Sequence, residues 1–317
     1  RFLSLGTGFL TSPKFSDYHA RIMDVIEEFG DRHGYVEYSK TFRLNRAICQ
    51  IIDEADVAIQ NYQWDLAQVI LDSIATSGED ILYCGDDSAG ELGDILHYCI
   101  QKWHELSSDE LLPEGKKSEL FELFLTHFAE GCLKEFDWWW DWIQMAIQLA
   151  DDEEKQGRII QELDKVINIK GDEWGINYNR QVAQRHKLEI MSKRGTPEEQ
   201  FKFMYENVSN PDFRRRLLQM AWDRGDYKEV LRLAVDGATH DSDYAGLVND
   251  WHKWELKVYL QTHDHAGSLR LYQYFFFNGG RFGEEAYSME NIYGQMKSIV
   301  LEDEWNDFVE TLIKDAV

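Results

Sequence analysis

The residues of this chain that could carry chemistry are few and scattered. His97, Cys99 and His104 fall in one amphipathic segment, where two histidines seven positions apart can share a helix face, and His263 and His265 flank Asp264 in a polar turn. A zinc site needs four donors converging at about 2.0 to 2.3 Å, which neither spacing enforces, so packed or solvated side chains are expected and no metal is assigned. Asp86 and Asp87 begin like a calcium loop. Counted from Asp86, however, glycine falls at position 5 instead of 6, and His97 stands at position 12, where a bidentate Glu is required. Asp86, Asp87, Ser88 and Glu91 are therefore read as a structural turn that starts a helix, with Ser88 and Glu91 at the spacing of a capping box.

No nucleophile elbow, P-loop or G-x-G-x-x-G is present, and the acidic pairs lie among amphipathic segments where a solvated face explains them. An enzyme would need carboxylates from separate helices to meet in an aromatic cleft, as in glycoside hydrolysis, and eleven tryptophans would suit sugar stacking. The sharpest local feature is Asp137 to Trp142, DWWWDW. Successive helical residues turn by about 100°, so three adjacent indoles cannot all face one core. Trp138 and Trp142 continue the stripe of Met145, Ala146 and Leu149, whereas Trp139 and Trp140 must pack on a neighbouring repeat or face a groove. These four tryptophans are the candidate binding residues, since indole anchors combine large apolar area with one donor.

The elements that would position such residues are helices. Only four prolines occur in 317 residues, and the abundance of Leu, Glu, Ala, Asp and Gln favours helix over sheet. The segment Asn210 to Gly237 reads as one complete unit: Asn210 as N-cap, Pro211 at the first helical position, Gly225 as a left-handed stop, then Asp226 and Glu229 as a capping box and Gly237 as the end. Phe213, Leu217, Met220 and Ala221 give the first helix an apolar face, and Tyr227, Val230, Leu231 and Ala234 the second. A pair this small cannot bury both faces alone, so it implies neighbours of the same kind.

Similar stripes run along the chain. They include Tyr18 to Phe29, Leu44 to Ile59, Asn61 to Ser77 closed by Gly78, Leu92 to Trp103, Leu120 to Phe128, Trp138 to Leu149 and Ile159 to Ile167. Thr196, Pro197 and Glu199 repeat the start signature, and the stretch from Glu284 through Trp305, Phe308 and Leu312 supplies two capping helices. Gly195 to Gly225 gives a period of 30, and Asp226 to Asp264 one of 38, so the repeats are irregular. Residues 1–15 read as a tail or fragment edge. The polar stretch ELSSDELLPEGKKS suggests a boundary near 112, between helical repeats 16–112 and 113–317 of one continuous solenoid.

A net charge of −25, from 33 basic and 58 acidic side chains, repels a phosphate backbone and favours a neutral or basic protein partner over nucleic acid. Cys49, Cys84, Cys99 and Cys132 are too sparse for a disulfide scaffold, and no apolar run approaches the roughly 18 residues of a membrane span, so a cytoplasmic location is expected.

The combination of NYQWDLAQVILDSI, DDSAGELGDIL, RGDYKEVLRLA and WHKWELKVYLQTHD resembles the helical region that follows the zinc finger in bacterial SWIM zinc-finger proteins. That resemblance covers roughly Asn45 to the end and implies a nucleic-acid- or protein-binding role carried largely by a finger with C-x-C, then Cys and His. Here the cysteines stand 35, 15 and 33 residues apart with no C-x-C, so neither the zinc site nor the finger's role transfers to these residues. The reading is an all-α, irregular, tetratricopeptide-like superhelix of about fifteen helices, acting without cofactor as a protein-interaction scaffold, with a carbohydrate-active helical enzyme as the alternative.

Overall fold

The computed structural model describes residues 14–278 and 288–315; the tail reading for 1–15 and the start of the capping stretch at Glu284 fall almost wholly outside them. Among the described residues there are sixteen helices and no strand, so the chain is all-α. Its contacts form two units, Arg1–Ile190 and Met191–Val317. The first holds α1 (Phe15–Phe29), α2 (Tyr38–Gln60), α3 (Trp64–Thr76), α4 (Gly78–Tyr83), α5 (Glu91–Ser107), α6 (Glu114–Glu130), α7 (Trp139–Leu149), α8 (Glu153–Ile167) and most of α9 (Trp174–Arg194). The second holds α10 (Pro197–Glu206), α11 (Pro211–Asp223), α12 (Tyr227–His240), α13 (Ala245–Gln261), α14 (His265–Asn278), α15 (Met289–Ile299) and α16 (Trp305–Asp315).

In the first unit, α2 buries Leu44, Ile48, Ile51, Ile52 and Ala55 along one stripe. Each of the Leu and Ile side chains contributes about 1.5 to 3 kcal/mol when fully removed from water. Next to it, α3 packs against α1, α2, α4 and α5, so its buried set widens beyond one stripe to Ala67, Ile70, Leu71, Ser73, Ile74 and Ala75. Gly78 does not stop this helix at a left-handed residue. It opens α4 and is buried, because a Cβ there would lie 2.5 Å from Leu133 Cδ2. The connector after α1 contributes the one extended contact among the described residues, an isolated bridge in which the Val36 amide donates to the Cys84 carbonyl at 2.7 Å.

The boundary expected near residue 112 is filled by core instead. Leu106 and Leu112 are buried, and the Asp109 carboxylate accepts from the Leu111 amide at 2.9 Å and the Trp64 indole N–H at 3.4 Å. The division falls between Ile190 and Met191, inside α9, a helix whose periodicity the sequence does not announce. Val182, Ala183, Leu188 and Ile190 are its buried apolar residues, a broken stripe interrupted by the buried Gln184. Polar bonds supplement it: the Arg180 guanidinium donates to the carbonyls of Ile167, Ile169 and Gly171, and Lys187 pairs with Asp164 at 2.6 Å.

In the second unit the start signatures form as expected. Thr196 accepts from the Glu199 amide while the Glu199 carboxylate accepts from the Thr196 amide, a complete capping box, and Asn210 caps α11 ahead of Pro211. Asp226 caps α12, but only half of the expected box is made: the Glu229 carboxylate turns to Arg232 and the Tyr205 hydroxyl. Gly237 does not end α12. It lies buried within the helix, where a Cβ would meet Arg214 Cδ at 2.7 Å and Trp251 Cδ1 at 3.0 Å, so its smallness serves close packing and not termination.

One joint recurs through both units. After α2, α6, α11 and α13 a left-handed residue (Tyr62, Gly131, Gly225, His263) donates to the carbonyl three back, and the next amide donates to the carbonyl five back. Both bonds define a Schellman stop, which satisfies the last carbonyls and turns the chain into the next segment. Gly225 and His263 stand 38 residues apart, whereas Gly195, aligned with Gly225 by sequence, is not one of these left-handed residues. His263, a metal candidate by sequence, is thus the residue that takes φ of +57° at a helix end.

Candidate functional site

The DWWWDW cluster is built into the core of the first unit. Here α7 is covered by α5, α6 and α8, so more than one of its faces is buried, and Trp139, Trp140 and Trp142 are each 8 % exposed or less. Trp139 stacks on Phe128 with ring centres 4.6 Å apart and donates its indole N–H to the Phe128 carbonyl at 2.9 Å. Trp142 donates to the Cys132 carbonyl at 3.1 Å and packs edge-on to Trp103 and on Phe124. Trp140 lies against Trp139, Phe128 and the His186 ring. With all three rings covered and the donors of Trp139 and Trp142 tied to carbonyls, none of the three presents an indole face to a partner, and the binding role expected of them gives way to packing. Trp138 alone is half-buried, resting on Phe136, which in turn meets the exposed Tyr83.

The acidic turn also differs in detail from its expected form. Ser88 and Glu91 make no capping box, because Gly90 at φ +80° takes the cap position. Asp87 does the capping: its carboxylate accepts from the Leu92 amide at 2.6 Å and the Gly93 amide at 3.2 Å, an anion at the positive helix end. Asp86 accepts from the Ser88 hydroxyl and amide, which lowers its pKa, and Glu91 offers its carbonyl to Asn45. His97, Cys99 and His104 do not converge. His97 is exposed, Cys99 is buried toward the Leu71 carbonyl, and His104 pairs with Asp141 at 2.8 Å. Burial pushes the thiols of Cys49 and Cys84 up to about 11 and that of Cys132 to about 12, disfavouring the thiolate that metal binding requires. No group of three or more His, Cys, Asp or Glu side chains is placed to hold a metal ion among the described residues.

One cavity in the first unit, of about 520 Å³, gathers carboxylates: Asp109, Glu110, Glu114 and Asp151, beside Lys117 and Lys155. Its chemistry is that of a solvated face. Glu114 pairs with Lys117 at 2.7 Å, and Asp151 with Lys155 at 2.8 Å, and the latter bond holds Asp151 below the ordinary carboxylate range. A general acid needs the opposite shift, and no aromatic residue lines the cavity for a sugar ring to stack on.

The second unit carries a different aromatic arrangement on α11, α12 and α13. Its interior is anchored by Trp251, fully buried, which donates to the buried Asp241 carboxylate at 2.7 Å. Arg214, also buried, lies over the Trp251 ring and donates to the Leu233 carbonyl at 2.8 Å, and desolvation lowers its pKa. Outside this anchor, Trp222, Tyr227 and Trp254 stay half-buried. Trp222 meets Tyr227 with ring centres 5.2 Å apart and Trp254 edge-on at 6.4 Å. The Lys257 ammonium sits 4.0 Å from the Trp222 ring centre and 4.4 Å from that of Trp254.

No family model, curated protein or solved structure matches this chain.

The half-exposed group of Trp222, Tyr227, Trp254 and Lys257 is the best candidate for contact with another molecule, and sequence reasoning missed it. Trp222 and Tyr227 straddle the α11–α12 joint, and Trp254 follows Trp251 by three positions on nearly the same helix face. Only the depth of each ring separates anchor from surface, and depth has no signature in the spacing. The usable signal is Trp254 and Lys257 at i and i+3, adjacent positions on a helix.

Proposed function

We propose that the chain is a non-catalytic protein-interaction scaffold of irregular, tetratricopeptide-like helix–turn–helix repeats arranged as a superhelix, working in the cytoplasm and binding a neutral or basic protein or peptide. The observation that carries this reading is the group of half-exposed aromatic rings on α11 to α13, kept partly in water although buried positions lie one helical turn away. Partly exposed indoles next to a well-packed anchor are what an interaction surface needs, since aromatic side chains dominate binding energy. Four recurrences of one helix joint support the repeat architecture, and the charge of −25 supports the choice of partner. The absence of any helix long and apolar enough to cross a membrane among the described residues, together with four free cysteines, is in keeping with the location.

The same reading makes this chain the accessory helical region of a zinc-finger regulatory protein. The segments that resemble the SWIM region form α3, the entry to α5, the α11–α12 joint and α13. A coding sequence upstream of Arg1 with C-x-C followed by C-x-H would support that assignment, and its absence there would remove it.

The scaffold is tested with arrays of peptides of graded charge probed by the intact chain. Basic and neutral peptides are expected to bind, acidic ones not, and Trp254→Ala should weaken the binding without unfolding the protein. Release of reducing sugar from a polysaccharide panel, abolished by substituting Asp151, would overturn the scaffold in favour of the enzyme.

A further inference from the structure

We propose that Trp222, Tyr227 and Trp254 form a cage for a methylated ammonium group, the side chain of a methylated lysine on a partner protein, and that Lys257 is its internal occupant. The proposal rests on the scaffold reading and names the chemistry of its ligand.

The geometry singles out this group. At 4.0 and 4.4 Å from two ring centres, the Lys257 ammonium sits closer to its rings than Lys134 does to Trp139, at 5.1 Å, or Arg214 to Trp251, at 5.6 Å. Two indole faces converge on one positive charge, which is the arrangement that attracts cations through the negative π-face of each ring. Trp is the strongest such donor, and Tyr227 extends the wall on the Trp222 side. The depression beside Trp254, about 300 Å³, is lined by Lys253, Leu256, Lys257 and Leu260, and offers aliphatic surface for the stem of an incoming lysine.

The ligand's degree of methylation follows from what the cage lacks. Lys257 is exposed and makes no hydrogen bond or ion pair with any described side chain; its partners are rings. An ammonium carries three N–H donors and is strongly hydrated, so where it meets only ring faces it must leave those donors to water. A trimethylammonium has no donors to satisfy and presents apolar methyl groups to the rings. It should therefore displace Lys257, whose own stem is free to swing into solvent from an exposed helix position. Lys253 contributes a like charge at the rim, which a ligand with a single diffuse charge tolerates better than a multiply charged one.

The test uses tryptophan fluorescence of the intact chain titrated with N-acetyl-trimethyl-lysine amide, with its neutral tert-butyl isostere, and with N-acetyl-lysine amide. Saturable quenching by the trimethyl compound is expected, weaker binding of the other two, and about tenfold tighter binding in Lys257→Ala, which vacates the cage; tenfold corresponds to about 1.4 kcal/mol, within the cation–π range. Trp254→Ala and the milder Trp254→Phe should lose most or part of the affinity while circular dichroism stays unchanged. Equal binding of the neutral isostere would overturn the proposal, as would an equal gain in Lys253→Ala, which removes a charge but leaves the cage occupied. Absence of saturable quenching in Lys257→Ala would also overturn it. Failure of the cage is separable from failure of the scaffold: basic peptides that bind the wild type and lose affinity in Trp254→Ala, with no preference for trimethyl-lysine over lysine or the neutral isostere, would sink the cage alone, whereas a chain that binds no basic or neutral peptide would sink both.

Discussion

The two tryptophan clusters of this molecule contain similar residues and do opposite things. In the first unit, Trp139, Trp140 and Trp142 stand nearly side by side in sequence and vanish into the core, with the N–H groups of Trp139 and Trp142 tied to carbonyls at the end of α6. In the second unit, Trp222 and Trp254 are 32 residues apart, meet from α11 and α13, and remain half in water around a lysine. The difference lies in what covers the helix that carries them. Three helices enclose α7, so even the indoles that point off its main stripe find partners. On α13 the covered face is taken by Trp251, with Asp241, Arg214 and Arg215 around its ring, and Trp254 lies at the margin of that face.

The comparison is broken or upheld most directly by truncation. Trp142→Ala should cost about 3 to 5 kcal/mol in urea unfolding, the range for emptying a buried aromatic position that its neighbours cannot refill. Trp254→Ala should cost about 1 kcal/mol or less, since it forfeits aromatic pairing and not core volume. Equal losses at the two positions would mean that Trp254 is as structural as Trp142, and the surface role assigned to it would fall.

Smaller substitutions ask whether the two units differ anywhere but at their tryptophans. Each has a helical glycine in closed space and another in open space: Gly78 and Gly157 in the first, Gly237 and Gly246 in the second. Replacing a helical Gly by Ala gains about 0.8 to 1 kcal/mol where nothing is displaced. Gly157→Ala and Gly246→Ala should therefore stabilise by up to that amount. At Gly78 and Gly237 the new methyl group enters packed core, where overpacking costs about 1 to 3 kcal/mol, so a net loss of about 1 kcal/mol is expected, larger at Gly237, where Trp251 is pinned by Asp241. Thermal unfolding of the four variants reads the signs. The same pattern in both units would confine their difference to the aromatic clusters, and a stabilised Gly237→Ala would show that the interior around Arg214 is looser than its distances imply.

What the sequence reveals about this molecule follows from how local each feature is. The caps at Thr196, Asn210 and Asp226 and the left-handed stop at Gly225 depend on a few neighbouring residues, and they are legible. Glycines 78 and 237 carry the same letter but serve a contact with a distant side chain; α3 does end just before Gly78, whereas reading Gly237 as a stop ends α12 three residues early. Helix α9 escapes notice because Arg180 and Lys187 supplement a poor stripe with bonds to the α8 region. The candidate site is the least legible part, since the exposure of Trp254 is decided by the packing of Trp251 on α13, Arg214 on α11 and Asp241 just past α12.

The finest test of the comparison is titration at the edge of the buried cluster. His186 stacks on Trp140 and is itself half-buried; burial lowers its pKa below the ordinary 6.5, Arg185 acts in the same direction, and Glu189 and Asp141 oppose them without reversing the shift. The unfolded chain therefore takes up a proton at His186 before the folded chain does. Its contribution to stability is full above about pH 6.5 and is lost as pH falls from there toward the folded value, with a slope of at most about 1.4 kcal/mol per pH unit for one proton. Glu122 and Glu229, whose pKa values are lowered by bonds to Arg158 and Arg232, lose their contribution as pH falls below about 4.5, under the pH values that probe His186. Urea unfolding at pH 7.0, 6.0 and about 5.2 should show the wild type losing stability and His186→Phe, which keeps a ring against Trp140 but cannot titrate, losing less. Identical slopes in the two proteins would mean that water reaches His186 when folded, and that the enclosure of the first tryptophan cluster stops short of its edge.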